Sequence, residues 1–116
     1  MAHGNASGPT QQIAKAVAWI RQNFAEEMRV EELAKHTNMS PTTFRQHFRA
    51  ITGMSPVQLQ KLLRLQEARQ LMLDQHMTAG AASAVVGYES ASQFNREYRR
   101  LFGTPPQHDI RRMLTH

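Results

Sequence analysis

The chain repeats itself fifty residues on, and that repeat constrains the fold more than any other feature. Ser40, Phe44, Phe48, Arg49, Ile51 and Gly53 are followed, in the same register, by Ser90, Phe94, Tyr98, Arg99, Leu101 and Gly103. A proline closes both copies, in Met54-Ser55-Pro56 and in Thr104-Pro105. Six positions in one register are not a product of composition, and an internal repeat is a property of the fold. In the second copy, GYESASQFNREYRRLFGTPP over 87–106, the apolar residues Phe94, Tyr98 and Leu101 recur at four and three, which is helical period. Ser90 stands where an N-cap belongs, and Gly103 followed by Pro105 ends the helix. In the first copy the same logic gives a helix over 41–52 that buries Phe44, Phe48 and Ile51. Ser40 is its N-cap, and Pro41 takes the favoured first helical position.

The remaining segments supply what two small helical units need. Residues 1–10, MAHGNASGPT, read as a disordered leader or linker remnant. Ile13, Val17, Ile20 and Phe24 mark a first helix over about 11–26, with Trp19 packing against the first unit. A short helix over 30–37 turns Leu33 and Ala34 inward, and Asn38 to Pro41 make the turn into 41–52. Two short helices across so tight a turn have helix-turn-helix spacing. A long helix from Pro56 to about Gln75 carries Leu59, Leu62, Leu63, Leu65, Ala68, Leu71 and Met72. At ~1.5 Å per residue it spans about 30 Å, close to the ~34 Å between successive major-groove faces of B-DNA. A small-residue helix over 78–86 and the turn 87–90 follow. That turn is one residue longer than the first if Leu33-Ala34 is matched to Ala82-Ser83. A last helix over about 106–114 turns Ile110 and Met113 inward, and Arg111 and Arg112 outward. The expectation is an all-α fold of about seven helices within 11–116. Two helix-turn-helix units, about 11–54 and 76–114, are joined by a linker helix over about 55–75.

Composition narrows the function. The 116 residues include no cysteine, hence no disulfide framework, thiolate metal site or cysteine nucleophile, which fits a cytoplasmic protein. No apolar run approaches ~18 residues and no signal-peptide pattern opens the chain, so neither a membrane span nor a signal peptide is expected. A basic bundle on an anionic membrane surface would need an apolar face left over after the core is built, and the repeat register leaves little, so no membrane partner is expected. His3, His36, His47, His76, His108 and His116 form no ligand spacing, so neither metal nor cofactor is expected. No nucleophile elbow, phosphate loop or paired carboxylates can be made out, which speaks against an enzyme. The formal net charge of +5 favours a polyanionic partner, nucleic acid first. The arginines gather from Arg45 onward, away from Glu26, Glu27, Glu31 and Glu32.

These residues resemble the DNA-binding domain of AraC/XylS-type transcriptional regulators. GYESASQFNREYRRLFGTPP is similar to the second helix-turn-helix signature of that family nearly position for position. LAKHTNMSPTTFRQHFRAITGMSP fits its first unit, LLRLQEARQLML the linker helix and IAKAVAWIRQNF the first helix, so the likeness covers about 11–114. Asn38 stands where the family often has glycine, a substitution its tolerance of left-handed backbone permits. Leu59 stands where an aromatic is common. Many family members carry an effector-binding or dimerisation domain ahead of this one. The chain is accordingly expected to be an excised C-terminal part lacking that domain.

The resemblance implies double-stranded DNA as partner, with helices 41–52 and 91–102 each entering a major groove, and RNA polymerase as a further partner of an activator. Outward positions then become candidate base readers: Thr42, Arg45 and Gln46 in the first unit, Ser92, Gln93 and Arg96 in the second. Arginine pairs bidentately with guanine, and glutamine with adenine. Ser40, Arg49, Lys61, Ser90, Arg99 and Arg100 are the candidate phosphate contacts, the two serines through backbone N–H groups at helix starts. Phe44, Phe48, Phe94 and Tyr98 belong to the core, not to base stacking. Two other readings remain open from residues alone. A helical protein–protein adaptor would use the Leu59–Met72 stripe, and an architectural DNA binder would need charge but no sequence preference.

Overall fold

Most helices of this chain open on a proline or on a capping hydroxyl. The computed structural model describes residues 8–115, and among them lie seven helices and no strand. They are α1 (Pro9–Asn23), α2 (Val30–Lys35), α3 (Pro41–Thr52), α4 (Pro56–Asp74), α5 (Ala79–Val85), α6 (Ala91–Phe102) and α7 (Pro106–Leu114). Four of the seven start on proline, whose fixed φ suits the first turn and whose missing N–H is not needed there. Helix α1 therefore begins at Pro9, two residues before the expected start. The rest of the expected leader, 1–7, lies outside the described residues. Two compact units meet at Lys61 and Leu62, inside α4 and not at its ends, so the linker helix is divided between them.

In the first unit, Ile13, Ala16 and Ile20 of α1, Val30, Leu33 and Ala34 of α2, and Phe44 and Phe48 of α3 are buried. The rings of Phe44 and Phe48 stand 5.6 Å apart at 54°. Gln60, near the start of α4, is buried because its amide has work to do. Its Nε2 donates to the carbonyls of Phe24 and Glu26, which the end of α1 leaves open.

In the second unit, Leu65, Ala68, Leu71 and Met72 of α4, Ala82 of α5, Val86 and Tyr88 of the turn, and Phe94 and Tyr98 of α6 are buried. Phe94 and Tyr98 repeat the first pair almost to the degree, at 5.7 Å and 55°. Tyr88 adds an edge-on ring at 5.3 Å from Phe94, and Phe102 a further ring at 4.5 Å from Tyr98.

The repeat extends to caps and burial. The Ser40 and Ser90 hydroxyls each accept from the N–H three residues on, Thr43 and Gln93, at 3.2 Å. Gly53 and Gly103 sit at φ 80° and 83°, where an L side chain would be strained. Each donates its N–H to the carbonyl four residues back, Arg49 or Arg99, at 2.8 Å. From 41 to 56 and from 91 to 106 exposure follows one pattern, differing only at Ser55 and Pro105. Before the turn the correspondence shifts by one residue. Leu33, Ala34, Thr37 and the left-handed Asn38 match Ala82, Ser83, Val86 and the left-handed Gly87. The extra residue of the second turn thus lies between Gly87 and Ser90.

Some inward assignments do not hold. Ile51 and Leu101 are 45% and 43% exposed. The next inward residue after Phe48 or Tyr98 is four positions on, Thr52 or Phe102, and not three. Trp19 is exposed, and in α7 Met113 is exposed while Asp109 is buried completely.

Candidate nucleic-acid interface

The two second helices turn out faces that no core residue needs. On α3, Thr42, Arg45, Gln46 and Arg49 are exposed, and on α6 so are Ser92, Asn95, Arg96, Arg99 and Arg100. Phe44, Phe48, Phe94 and Tyr98 hold the opposite faces in the core, as expected, so the outward residues are fixed in azimuth. Such an array of guanidinium, amide and hydroxyl groups suits base edges and phosphates.

The sites are not alike in what already occupies them. Arg45 Nη2 lies 3.2 Å from Glu31 Oε2, both side chains exposed. The Glu31 carboxyl is held below the usual range by the bond from its own backbone N–H first and by Arg45 second. Gln93 is half-buried and donates from Nε2 to Glu97 Oε2 at 3.0 Å, while the Tyr88 hydroxyl donates to Glu97 Oε1 at 2.7 Å. Burial, and then this bond to a carboxylate, push the Tyr88 phenol up. The side chains of Arg49, Arg96, Arg99 and Arg100 make no such bond among the described residues. Thr42 and Ser92 are exposed in the first turns of their helices, and Gln46 is exposed midway along α3.

The candidate phosphate groups also divide. Ser40 and Ser90 spend their hydroxyl oxygens as caps, so an anion there would meet backbone donors. Lys61 is half-buried in α4 and already has a partner within the structure. Arg64, farther along α4, lies 5.6 Å over the Tyr88 ring, and its burial lowers its pKa. Arg111 is exposed on α7, whereas Arg112 is tied to Asp109 at 3.1 Å.

What braces α7 was missed in the sequence. Buried Asp109 accepts from the Tyr98 hydroxyl at 2.6 Å and from Arg69 Nη2 at 3.3 Å, with Arg69 Nε 3.0 Å from its other oxygen. Burial alone would raise this carboxyl. The bonds from Tyr98, Arg69 and Arg112 outweigh burial and hold it below its ordinary value. The Arg69 guanidinium is stacked 4.1 Å over Phe102. A signal existed: an aspartate three residues before an arginine, on a helix opened by Pro-Pro.

Residues 33–112 match the family model described as a helix-turn-helix domain. Solved structures share the fold. A probable AraC family transcriptional regulator from Rhodopseudomonas palustris superposes with a TM-score of 0.78 at 28% identity, over 87% of this chain and 95% of that one. The chain belongs to the AraC-type helix-turn-helix family. The DNA-binding domain of AdpA, solved in complex with a target DNA, is similar to this AraC-type domain with a TM-score of 0.79 at 28% identity. That match covers 85% of this chain and 89% of that one. Among curated proteins, the regulator GbdR of Pseudomonas aeruginosa is 32% identical over 95 residues, 82% of this chain and 26% of GbdR. The virulence regulon transcriptional activator VirF of Yersinia enterocolitica is 30% identical over 98 residues, 84% of this chain and 36% of VirF. The AraC-type domain thus spans between about a quarter and two fifths of the curated relatives it matches. The family is one of DNA-binding transcription regulators and not of enzymes. No helix among the described residues is long and apolar enough to cross a membrane.

Proposed function

We propose that this domain binds duplex DNA sequence-specifically by presenting α3 and α6 to successive major grooves, as the DNA-reading part of a cytoplasmic transcription regulator. The observation that carries this reading is the duplicated helix, with one cap, one aromatic pair and one burial pattern used twice behind two exposed polar faces. Thr42, Arg45 and Gln46 read bases from α3, and Ser92 and Gln93 from α6. Arg96 is set apart from them by a cleft that it shares with Arg99. Arg49, Arg99, Arg100 and Lys61, with the helix starts at Ser40 and Ser90, hold phosphates and supply most of the affinity and its salt dependence. A further domain for an effector or for dimerisation, and contact with RNA polymerase as an activator, complete the proposal. Its support is the greater length of the relatives and the activator among them.

Selection of bound sequences from a random duplex pool tests the reading. Two short preferred blocks about one helical turn, ~34 Å, apart are expected. A single block would mean that one unit reads no bases, and no enrichment would reject sequence-specific binding. On the selected duplex, Arg99→Ala should weaken binding to all sequences alike and reduce the slope of log K against log salt by about one. An unchanged slope would remove Arg99 from the phosphate set.

A further inference from the structure

In the second unit, a cleft of about 610 Å³ opens between α6 and the first turns of α5 and α7. Ala79 and Gly80, Asn95, Arg96 and Arg99, and Pro105 to Gln107 line it. Two guanidinium groups meet there without a carboxylate among the lining residues. Gly80 leaves the mouth open, since a Cβ built on it meets nothing within 4 Å.

The first unit has the same frame and a different charge. By the turn correspondence that matches Asn38 to Gly87, the N-caps Arg29 and Thr78 are equivalent, and Glu31 stands where the second unit has Gly80. By the helix correspondence, Arg45 stands where the second unit has Asn95. Those two positions meet in the first unit, at 3.2 Å across the gap that is open in the second. Gln46 there replaces Arg96, so each unit has two arginines at these positions, Arg45 and Arg49 or Arg96 and Arg99, and the first has one carboxylate more.

We propose that the α5–α6–α7 cleft seats a backbone phosphate of DNA, with Arg96 and Arg99 as its ligands, and that Glu31 excludes a phosphate from the equivalent place in the first unit. This rests on the DNA-binding reading and gives the two units unequal parts in it. The second unit is the electrostatic anchor. In the first, the Glu31 carboxylate pairs with Arg45 and repels a phosphate anion, so the uncharged guanine O6/N7 edge is the partner its guanidinium can take without bringing an anion beside the carboxylate. Glu31 is thereby a positioning residue for specificity, and Arg96 belongs with the phosphate contacts.

Gly80→Glu gives the second unit the carboxylate of the first. The substituted helix does not suffer, because glycine is a poor helix former and an acidic residue is favoured in a first turn. The thermal midpoint is therefore expected to stay or rise. Affinity for the selected duplex and for a scrambled duplex should fall roughly tenfold, the weight of one charge-assisted contact, and the salt slope should fall by about one. Gly80→Gln, equal in size and uncharged, should keep the slope of the parent. Glu31→Gln should tighten binding to the scrambled duplex and narrow the gap between selected and scrambled sequences. A slope left unchanged by Gly80→Glu, or lowered as much by Gly80→Gln, would overturn the phosphate seat. So would an Arg96→Ala variant that loses preference at one base pair with its slope intact. Each of these failures leaves DNA binding standing, whereas a parent protein that binds neither duplex overturns both this inference and the reading beneath it.

Discussion

Asp109→Asn should destabilise the second unit by about 3 kcal/mol. The carboxylate is fully buried and accepts from Tyr98 and two arginines. Removing one member of a buried ion pair costs ~3–5 kcal/mol, because the partner is left charged and without compensation. Arg112 is largely exposed and Arg69 partly so, and their access to water places the effect at the lower end. Urea denaturation measures it, and a loss below about 1 kcal/mol would show that α7 is held by apolar packing alone. Tyr98→Phe removes only the hydroxyl and should cost ~1.5–3 kcal/mol, the range for a hydrogen bond to a charged group. The cluster also sets an acid limit. Because the Asp109 carboxyl is held below its ordinary value, its contribution is complete above ~4, the unfolded carboxyl range. It is lost as the pH falls through the lower folded value, where the protonated group can no longer accept from all three donors. Asp109→Asn should flatten that acid limb of the stability profile.

Phe94→Ala should be among the most damaging truncations in the chain, costing ~3–5 kcal/mol in lost burial and residual cavity. Its counterpart Phe44→Ala falls in the same range but should cost less. Both rings are buried at equivalent positions, yet Phe44 has one ring partner where Phe94 has two, Tyr88 and Tyr98. An additional aromatic pair is worth about 0.5–1.5 kcal/mol beyond area. Thermal or urea unfolding of the two variants side by side measures the difference. Equal losses would mean that Tyr88 moves in to fill the space left by Phe94.

Much of the architecture could be read from the chain because its punctuation is strong. Ser40-Pro41, Gly53, Pro56, Ser90, Gly103 and Pro106 bound α3, α4, α6 and α7 within a residue of where they were expected. Periodicity was less exact. A helical stripe leaves a choice between three and four residues at each step, and the choice fell wrongly on Ile51 and Leu101 where Thr52 and Phe102 turn inward. The polar interior escaped altogether. The pattern of α7 offers only an aspartate three residues before an arginine, and that pair acquires its meaning when Tyr98 and Arg69 are brought to it from α6 and α4. Side-chain availability was hidden for the same reason. Arg45 and Gln93 looked like free readers until Glu31 and Glu97 were found beside them.

The two second helices share a backbone and differ in what they turn outward. Thr42, Arg45, Gln46 and Arg49 on one answer to Ser92, Asn95, Arg96 and Arg99 on the other. A homodimer of a single reading helix sees the same letters twice and cannot tell which way along the duplex it faces. This chain carries two unlike helices in a fixed covalent order. A site that suits it has no palindrome, and a single copy bound there has a left and a right. A further domain of the kind proposed above would be delivered to one side of the site and not the other.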